Sequence, residues 1–173
     1  MNATPSDPEH ELALWAIAEK LRTIGNVADS REENFQVLAA IAEACWWIAS
    51  LDERLGGLEK APYSRARDAD TRGAVIPGIR WARNRHTHDL IATGDGHVRP
   101  FVSDEPRGVL YISKAYRWRT AESMNLAGDS VTRGRGDRQR YVDTLVGKKI
   151  RPSLEGAHAW LTEAVVTFGS PST

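Results

Sequence analysis

The sequence predicts a mainly α-helical protein, a bundle of four to five helices in one domain over residues 1–173, with a β-hairpin insert near 97–118. Three observations carry that prediction. Apolar residues recur at three- and four-residue spacing through most of the chain. Capping residues, prolines and glycines punctuate those runs at their ends. One stretch, 97–118, abandons the helical period and is rich in β-branched and aromatic side chains.

The elements follow in order. Asp7-Pro8 pairs a capping side chain with a first-turn proline, and Leu12, Trp15, Ala18 and Leu21 keep helical spacing until Gly25. Ser30 to Glu33 is a capping box for a long second helix. Its inner stripe is Phe35, Leu38, Ile41, Ala42, Cys45, Ile48 and Ala49, and Gly56-Gly57 stops it. Trp46 and Trp47 lie off the centre of that stripe, so this helix is either central in the bundle or covers a partner. A linker is expected around Pro62, then helix from about Arg67 to Thr93, with a kink or restart at Pro77-Gly78 and a stop at Gly94-Asp95-Gly96. In the insert, Val98, Phe101 and Val102 precede a turn at Asp104 to Gly108, and Val109 to Ile112 and Tyr116 to Trp118 follow it. A basic loop is expected over 128–140, Asp137 caps a short helix through Tyr141, Leu145 and Val146, and Pro152 starts a last helix along Leu154, Ala157, Leu161, Val165 and Phe168.

Apolar residues at 41% and charged residues at 27% are ordinary for a globular chain of 173 residues, long enough to build a core without disulfide or metal. The one cysteine, Cys45, has apolar neighbours and reads as a buried thiol. No apolar run is expected to reach bilayer length, and the polar, acidic N-terminus is unlike a signal peptide, so no membrane association and a cytoplasmic location are expected. The net charge of zero hides an asymmetry: residues 1–60 carry eleven acidic and five basic side chains, whereas 61–128 carry eleven basic and seven acidic. Local distribution, not the total, sets the field that a phosphate would meet.

The most pointed chemistry is Arg83-Asn84-Arg85-His86-Thr87-His88. Arginine offers a permanent planar fork of donors that matches phosphate, and histidine moves a proton near neutral pH. On an ideal helix Ile79, Ala82, His86 and Leu90 share an arc of about 80° that faces the core, while Arg80, Asn84 and His88 line another side flanked by Trp81 and Ile91. His86 and His88 then point in nearly opposite directions, which excludes their chelating one metal; no metal and no cofactor are expected. Arg83 sits about 140° from His88, so the two meet only if the helix is irregular or a second subunit completes the site; otherwise Arg80 and Arg83 belong to a salt-bridged helix face. Glu43 and Asp52 on the second helix either support the motif or are surface charges, and the surface reading is preferred.

Arg83-Asn84-x-x-x-His88 resembles the signature of HEPN-domain proteins: arginine, a polar residue, then histidine after three more positions. The resemblance implies an α-helical bundle and a metal-independent endoribonuclease that dimerises with two motifs at the interface, in toxin–antitoxin or antiviral defence. It implies that Arg83 binds the scissile phosphate, Asn84 orients the site and His88 does acid–base work, with a ribose 2′-hydroxyl as nucleophile. The partners it implies are RNA, a second copy of the chain, and an antitoxin or regulatory protein. The strings Gly78 to Arg85 and Gly147 to Arg151 also resemble uncharacterised bacterial proteins, a likeness that implies no chemistry.

A second cluster, Arg133, Arg135, Arg138, Arg140, Lys148, Lys149 and Arg151, would give salt-sensitive RNA contacts together with Arg80, and Tyr141 could stack on a base. The competing reading is a solvated segment compensated by Asp129, Asp137 and Asp143. No Walker loop, dinucleotide-binding glycine fingerprint or Gly-x-Ser-x-Gly elbow occurs, which argues against those nucleotide and hydrolase chemistries. The alternative function is a non-catalytic helical interaction protein, a defence regulator or phage accessory factor, with Trp46, Trp47 and Trp81 as interface anchors.

Overall fold

The second helix dominates the architecture because it carries the longest apolar run in the chain. In the computed structural model, which describes residues 7–25, 31–58, 60–86, 92–98, 112–120 and 135–169, that helix is α2 (Arg31–Leu58). It is preceded by α1 (Pro8–Gly25) and followed by α3 (Lys60–Ala69), α4 (Ile76–His86), the strands β1 (Ala92–Val98) and β2 (Ile112–Trp118), α5 (Arg135–Thr144) and α6 (Ile150–Phe168). The protein is mainly helical. Helices α1, α3, α4 and α6 all pack against α2. Ile41, Ala44, Cys45, Ile48, Leu51 and Leu55 of α2 are buried at the centre. Burial pushes the Cys45 thiol up to about 12, as expected of a structural cysteine.

The described residues contain six helices rather than four to five. The extra one arises because the span expected to run from Arg67 to Thr93 is two separate pieces. Pro62 lies in the first turn of α3, where its missing N–H would be unpaired anyway, so no linker forms there. Asp70 then breaks the helix: its carboxylate accepts the backbone N–H of Arg72 at 2.8 Å, and its carbonyl accepts those of Gly73 and Ala74. Pro77 falls in the first turn of the restarted helix α4. Gly94-Asp95-Gly96, expected as a helix stop, lies inside β1. The strands pair antiparallel from Ala92 opposite Trp118 to Val98 opposite Ile112. The turn expected at 104–108 and the expected strand residues Phe101, Val102, Val109, Leu110 and Tyr111 lie outside the described residues. Of the basic loop expected over 128–140, residues 135–140 are helical in α5 and the rest lie outside the described residues.

Several core assignments shift by part of a turn. Helix α1 buries His10, Ala13, Ile17, Leu21 and Ile24, leaving Leu12 and Trp15 on the surface. The small Ala13 and Ala16 take the buried positions on α1, and the larger Leu12 and Trp15 lie at its surface. Phe35 is likewise exposed. Trp81, expected at an interface, is a core residue: its ring lies 4.6 Å from that of Tyr141, which also meets the edge of Trp118 at 6.1 Å. The Tyr141 hydroxyl donates to the Arg119 carbonyl at 2.6 Å, so this aromatic stack joins α4, α5 and β2. Burial raises the Tyr141 pKa and removes its ring as a stacking surface for a base. Glu32–Leu58 is long and apolar enough to cross a bilayer, against the expectation that no segment would be; here that stretch is the central helix of the bundle, with its buried side chains in the core.

Two outcomes test this packing. A Cβ at Gly78 would lie 2.9 Å from the Tyr141 Cα, a backbone contact with nowhere to yield. Gly78→Ala should therefore lower stability by about 1–3 kcal/mol in urea denaturation, although alanine is the better helix former. His158 of α6 is half-buried with its Nε2 3.2 Å from the Leu14 carbonyl, and burial holds its pKa below the usual histidine value. The neutral form is favoured in the fold, so stability should fall as pH drops through about 6.5, where the unfolded chain takes up a proton first. Thermal melts between about pH 7 and 5.5 should show a smaller slope in His158→Gln.

Candidate functional site

Helix α4 is held on two sides, and that leaves one edge for chemistry. Ile79 and Ala82 are buried, Trp81 packs on α5, and Arg83 and Asn84 emerge at the surface. Arg80 fixes the helix from below. Its Nε and Nη2 donate to the two carboxylate oxygens of Asp137 in α5, at 2.9 and 3.0 Å, and its Nη1 donates to Asp52 in α2 at 3.2 Å. Such a bidentate pair is stronger and more directional than a single contact.

Asp52 is the centre of this network. Its side chain is 1% exposed, and its oxygens accept from the Tyr63 hydroxyl at 2.8 Å and from Arg67 at 3.0 and 3.2 Å as well as from Arg80. A buried carboxylate persists only when so satisfied. Burial, followed by the negative charge of Asp52, raises the Tyr63 pKa, so the phenol stays a donor. Burial alone would lower the Arg67 pKa, but Asp52 outweighs it and the net shift is upward. Arg67 also contacts Asp68, which in turn accepts from Arg140 of α5 at 2.9 Å. The preferred surface reading is thus correct for Glu43, exposed and paired with Lys20, and wrong for Asp52. The signal was present in the helical period: Ile41, Cys45, Ile48 and Asp52 lie on one line of α2.

The motif itself is placed in part. Arg83 donates from Nε to the Asn84 Oδ1 and from Nη2 to Glu53 of α2, both at 3.1 Å. Its side chain is 23% exposed and that of Glu53 is 49% exposed. Among the described residues, Arg83 Nη1 has no hydrogen-bond partner. His88 lies outside the described residues, as do Arg133 and the side chains of His86 and Arg135.

The remaining basic residues fall into two groups. Arg138 is half-buried and Arg140 is paired with Asp68, both on α5. Lys148 and Lys149 are exposed in the turn before α6. There Trp118 exchanges backbone hydrogen bonds with Gly147 and Lys148, and Arg117 donates to the Gly147 carbonyl at 2.8 Å. Arg151, expected with them, pairs with Glu155. Arg80 is not a free phosphate ligand, because Asp137 and Asp52 already engage its guanidinium. Sequence reasoning missed Arg85, buried with its guanidinium 5.6 Å from the Trp81 ring.

An apolar cleft of about 400 Å³ opens on another side, between α1 and α2, lined by Leu12, Ala13, Trp46, Trp47, Ser50 and Leu51. Trp46 is 50% exposed and Trp15 nearby on α1 is 60% exposed. The two adjacent indoles, Trp46 and Trp47, meet edge to face at 4.8 Å. Arg54, bonded to Asp7 and Glu9, lines the cleft as well, and Lys20 of α1 pairs with Glu43 of α2. Among the described residues, no group of three or more His, Cys, Asp or Glu side chains is placed to hold a metal ion.

A scan against protein-family models finds no match to the chain, and searches of curated proteins and of solved structures likewise find none.

Removing the central carboxylate tests the network. Asp52→Ala leaves two guanidiniums without their shared partner and should cost about 3 kcal/mol or more of unfolding free energy in urea. Glu43→Ala, which breaks an exposed pair on the same helix, should cost under about 1 kcal/mol.

Proposed function

We propose that this chain is a HEPN-like, metal-independent endoribonuclease that acts as a cytoplasmic homodimer in a toxin or antiviral-defence role. In this reading the helices form a HEPN-like bundle, with β1 and β2 as the arms of a hairpin insert. The observation that carries the reading is the display of Arg83 and Asn84 on the open edge of α4, with Arg83 Nη1 unengaged among the described residues and the helix anchored by Arg80.

Each residue then has a chemical task. Arg83 holds the scissile phosphate and stabilises the charge that builds on its oxygens as the 2′-hydroxyl attacks. Asn84 fixes the Arg83 Nε and so orients the fork. His88 transfers the proton, and the reaction leaves a cyclic phosphate and a free 5′-hydroxyl. Arg138, Lys148 and Lys149, with Arg133 and Arg135, give the flanking phosphates a basic path. Arg80 serves through position, not contact.

The second copy seats on the α1–α2 cleft. Along the exposed face of α2 run Glu43, Trp46, Ser50 and Arg54. Two such stripes laid antiparallel about a two-fold axis bring the exposed Trp46 of each copy near the centre of the contact, with the Lys20–Glu43 and Arg54–Asp7–Glu9 pairs toward its rim. A non-catalytic interaction protein is the second reading, favoured by the exposure of Trp15 and Trp46, which are of the type that anchors protein interfaces.

With structured and unstructured RNA in excess chelator, the wild-type protein should cleave. Arg83→Ala and His88→Ala should each lower the rate by about 100-fold or more. Wild-type activity no higher than that of the double variant on every RNA would overturn the catalytic reading. Sedimentation equilibrium should give a dimer that Trp46→Glu converts to a folded monomer. A wild-type monomer at all concentrations would move the cleft to a different protein and favour the second reading.

A further inference from the structure

We infer that Glu53 is an affinity-setting residue, a surface carboxylate that competes with the RNA phosphate for Arg83 and so reserves the site for polynucleotides over free phosphate or mononucleotides. The inference rests on the ribonuclease reading of Arg83.

The two consecutive acids of α2 have different roles. Asp52 is buried and held by three donors, so it is fixed. Glu53, one residue on, reaches the next arginine of α4 across the surface and is half exposed. A long, solvated carboxylate whose one hydrogen bond among the described residues is this 3.1 Å contact can swing away at small cost.

The geometry at the guanidinium puts a bound phosphate in direct competition with, or directly beside, the Glu53 carboxylate. A phosphate binds arginine best by two parallel N–H bonds along one edge of the fork. The Nε–Nη2 edge is occupied at Nε by Asn84, and Nη2, shared by both usable edges, is engaged by Glu53. An incoming phosphate therefore either displaces Glu53 or sits beside a like charge on the same guanidinium. An isolated phosphate gains one cation and meets that repulsion alone. A polynucleotide adds contacts to Arg138, Lys148 and Lys149, which offset it. Trp46 and Glu53 lie seven residues apart on one line of α2, so this carboxylate also borders the proposed interface between subunits.

The test uses the full-length protein with a fluorescent single-stranded RNA oligonucleotide, and inorganic phosphate as competitor. Binding is measured by anisotropy at about 50 and 200 mM salt for wild type, Glu53→Gln, Arg83→Ala and the double variant, with Glu43→Gln as control. Glu53→Gln should bind RNA about two- to fivefold more tightly at the lower salt, with the gain shrinking at the higher salt. The gain should vanish in the Arg83→Ala background, which a general effect on stability or net charge would not produce. Inorganic phosphate should compete measurably better against the Glu53→Gln complex, and cleavage should show a lower KM with little change in kcat. Equal or weaker binding by Glu53→Gln, or a gain that survives without Arg83, would overturn the inference. If Arg83→Ala weakens RNA binding and cleavage while Glu53→Gln changes nothing, the Glu53 inference alone fails. If Arg83→Ala changes neither binding nor cleavage, the ribonuclease reading fails with it.

Discussion

The carboxylate of Asp52 adds a polar junction to helices that also share the apolar core. From the middle of α2 it bonds to α3 through Tyr63 and Arg67, and to α4 through Arg80. Arg80 passes the connection on to Asp137 of α5. Helix α3 is short and polar and α5 carries few apolar side chains, so each is held by one buried tyrosine, Tyr63 or Tyr141, together with these polar contacts. A buried ion network of this kind often adds no more net stability than apolar residues of the same volume would, but losing one partner leaves the others buried without their counter-charge. The position of α4, and hence of everything displayed on its edge, is set by this network together with the buried Ile76, Ile79, Trp81 and Ala82.

The apolar core and the polar network divide the labour between the two sides of α2. Toward α1 and α6 the core is largely aliphatic and alanine-rich, with Trp160 and Phe168 of α6 packed on Tyr63. Toward α4 and α5 it is aromatic and charged: Trp81, Tyr141 and Trp118 stack while Arg80 is clamped beside them. The exposed face of α2 carries Trp46 and, two turns later, Glu53. A single helix thereby carries both the wall of the apolar cleft and the carboxylate that meets the arginine motif.

The helical class, the central place of α2, the buried state of Cys45 and the break near Pro77 were legible because each depends on local spacing or on one punctuating residue. What escaped depended on partners distant in sequence. Asp52 looked like a surface charge, although it continues the line of Ile41, Cys45 and Ile48, because its three partners come from α3 and α4. Trp81 looked like an interface anchor because its partner Tyr141 is sixty residues on. Gly94 and Gly96 read as a stop because the strand they join is made by pairing with β2. In α1, periodicity placed the apolar residues on a helix but could not say that alanines, not Leu12 and Trp15, face α2. Around the arginine motif, Arg83 and Asn84 were singled out by residue type, whereas Glu53, which touches Arg83, carries no local signature.

The chemistry of the cut ends tests the central claim most directly. RNA digested by the purified protein in excess chelator should yield fragments whose 3′ ends carry a 2′,3′-cyclic phosphate and whose 5′ ends are free hydroxyls, identified by mass spectrometry and absent from the Arg83→Ala digest. Fragments bearing 5′-phosphate and 3′-hydroxyl ends, or no fragments above those of the Arg83→Ala protein, would contradict the account.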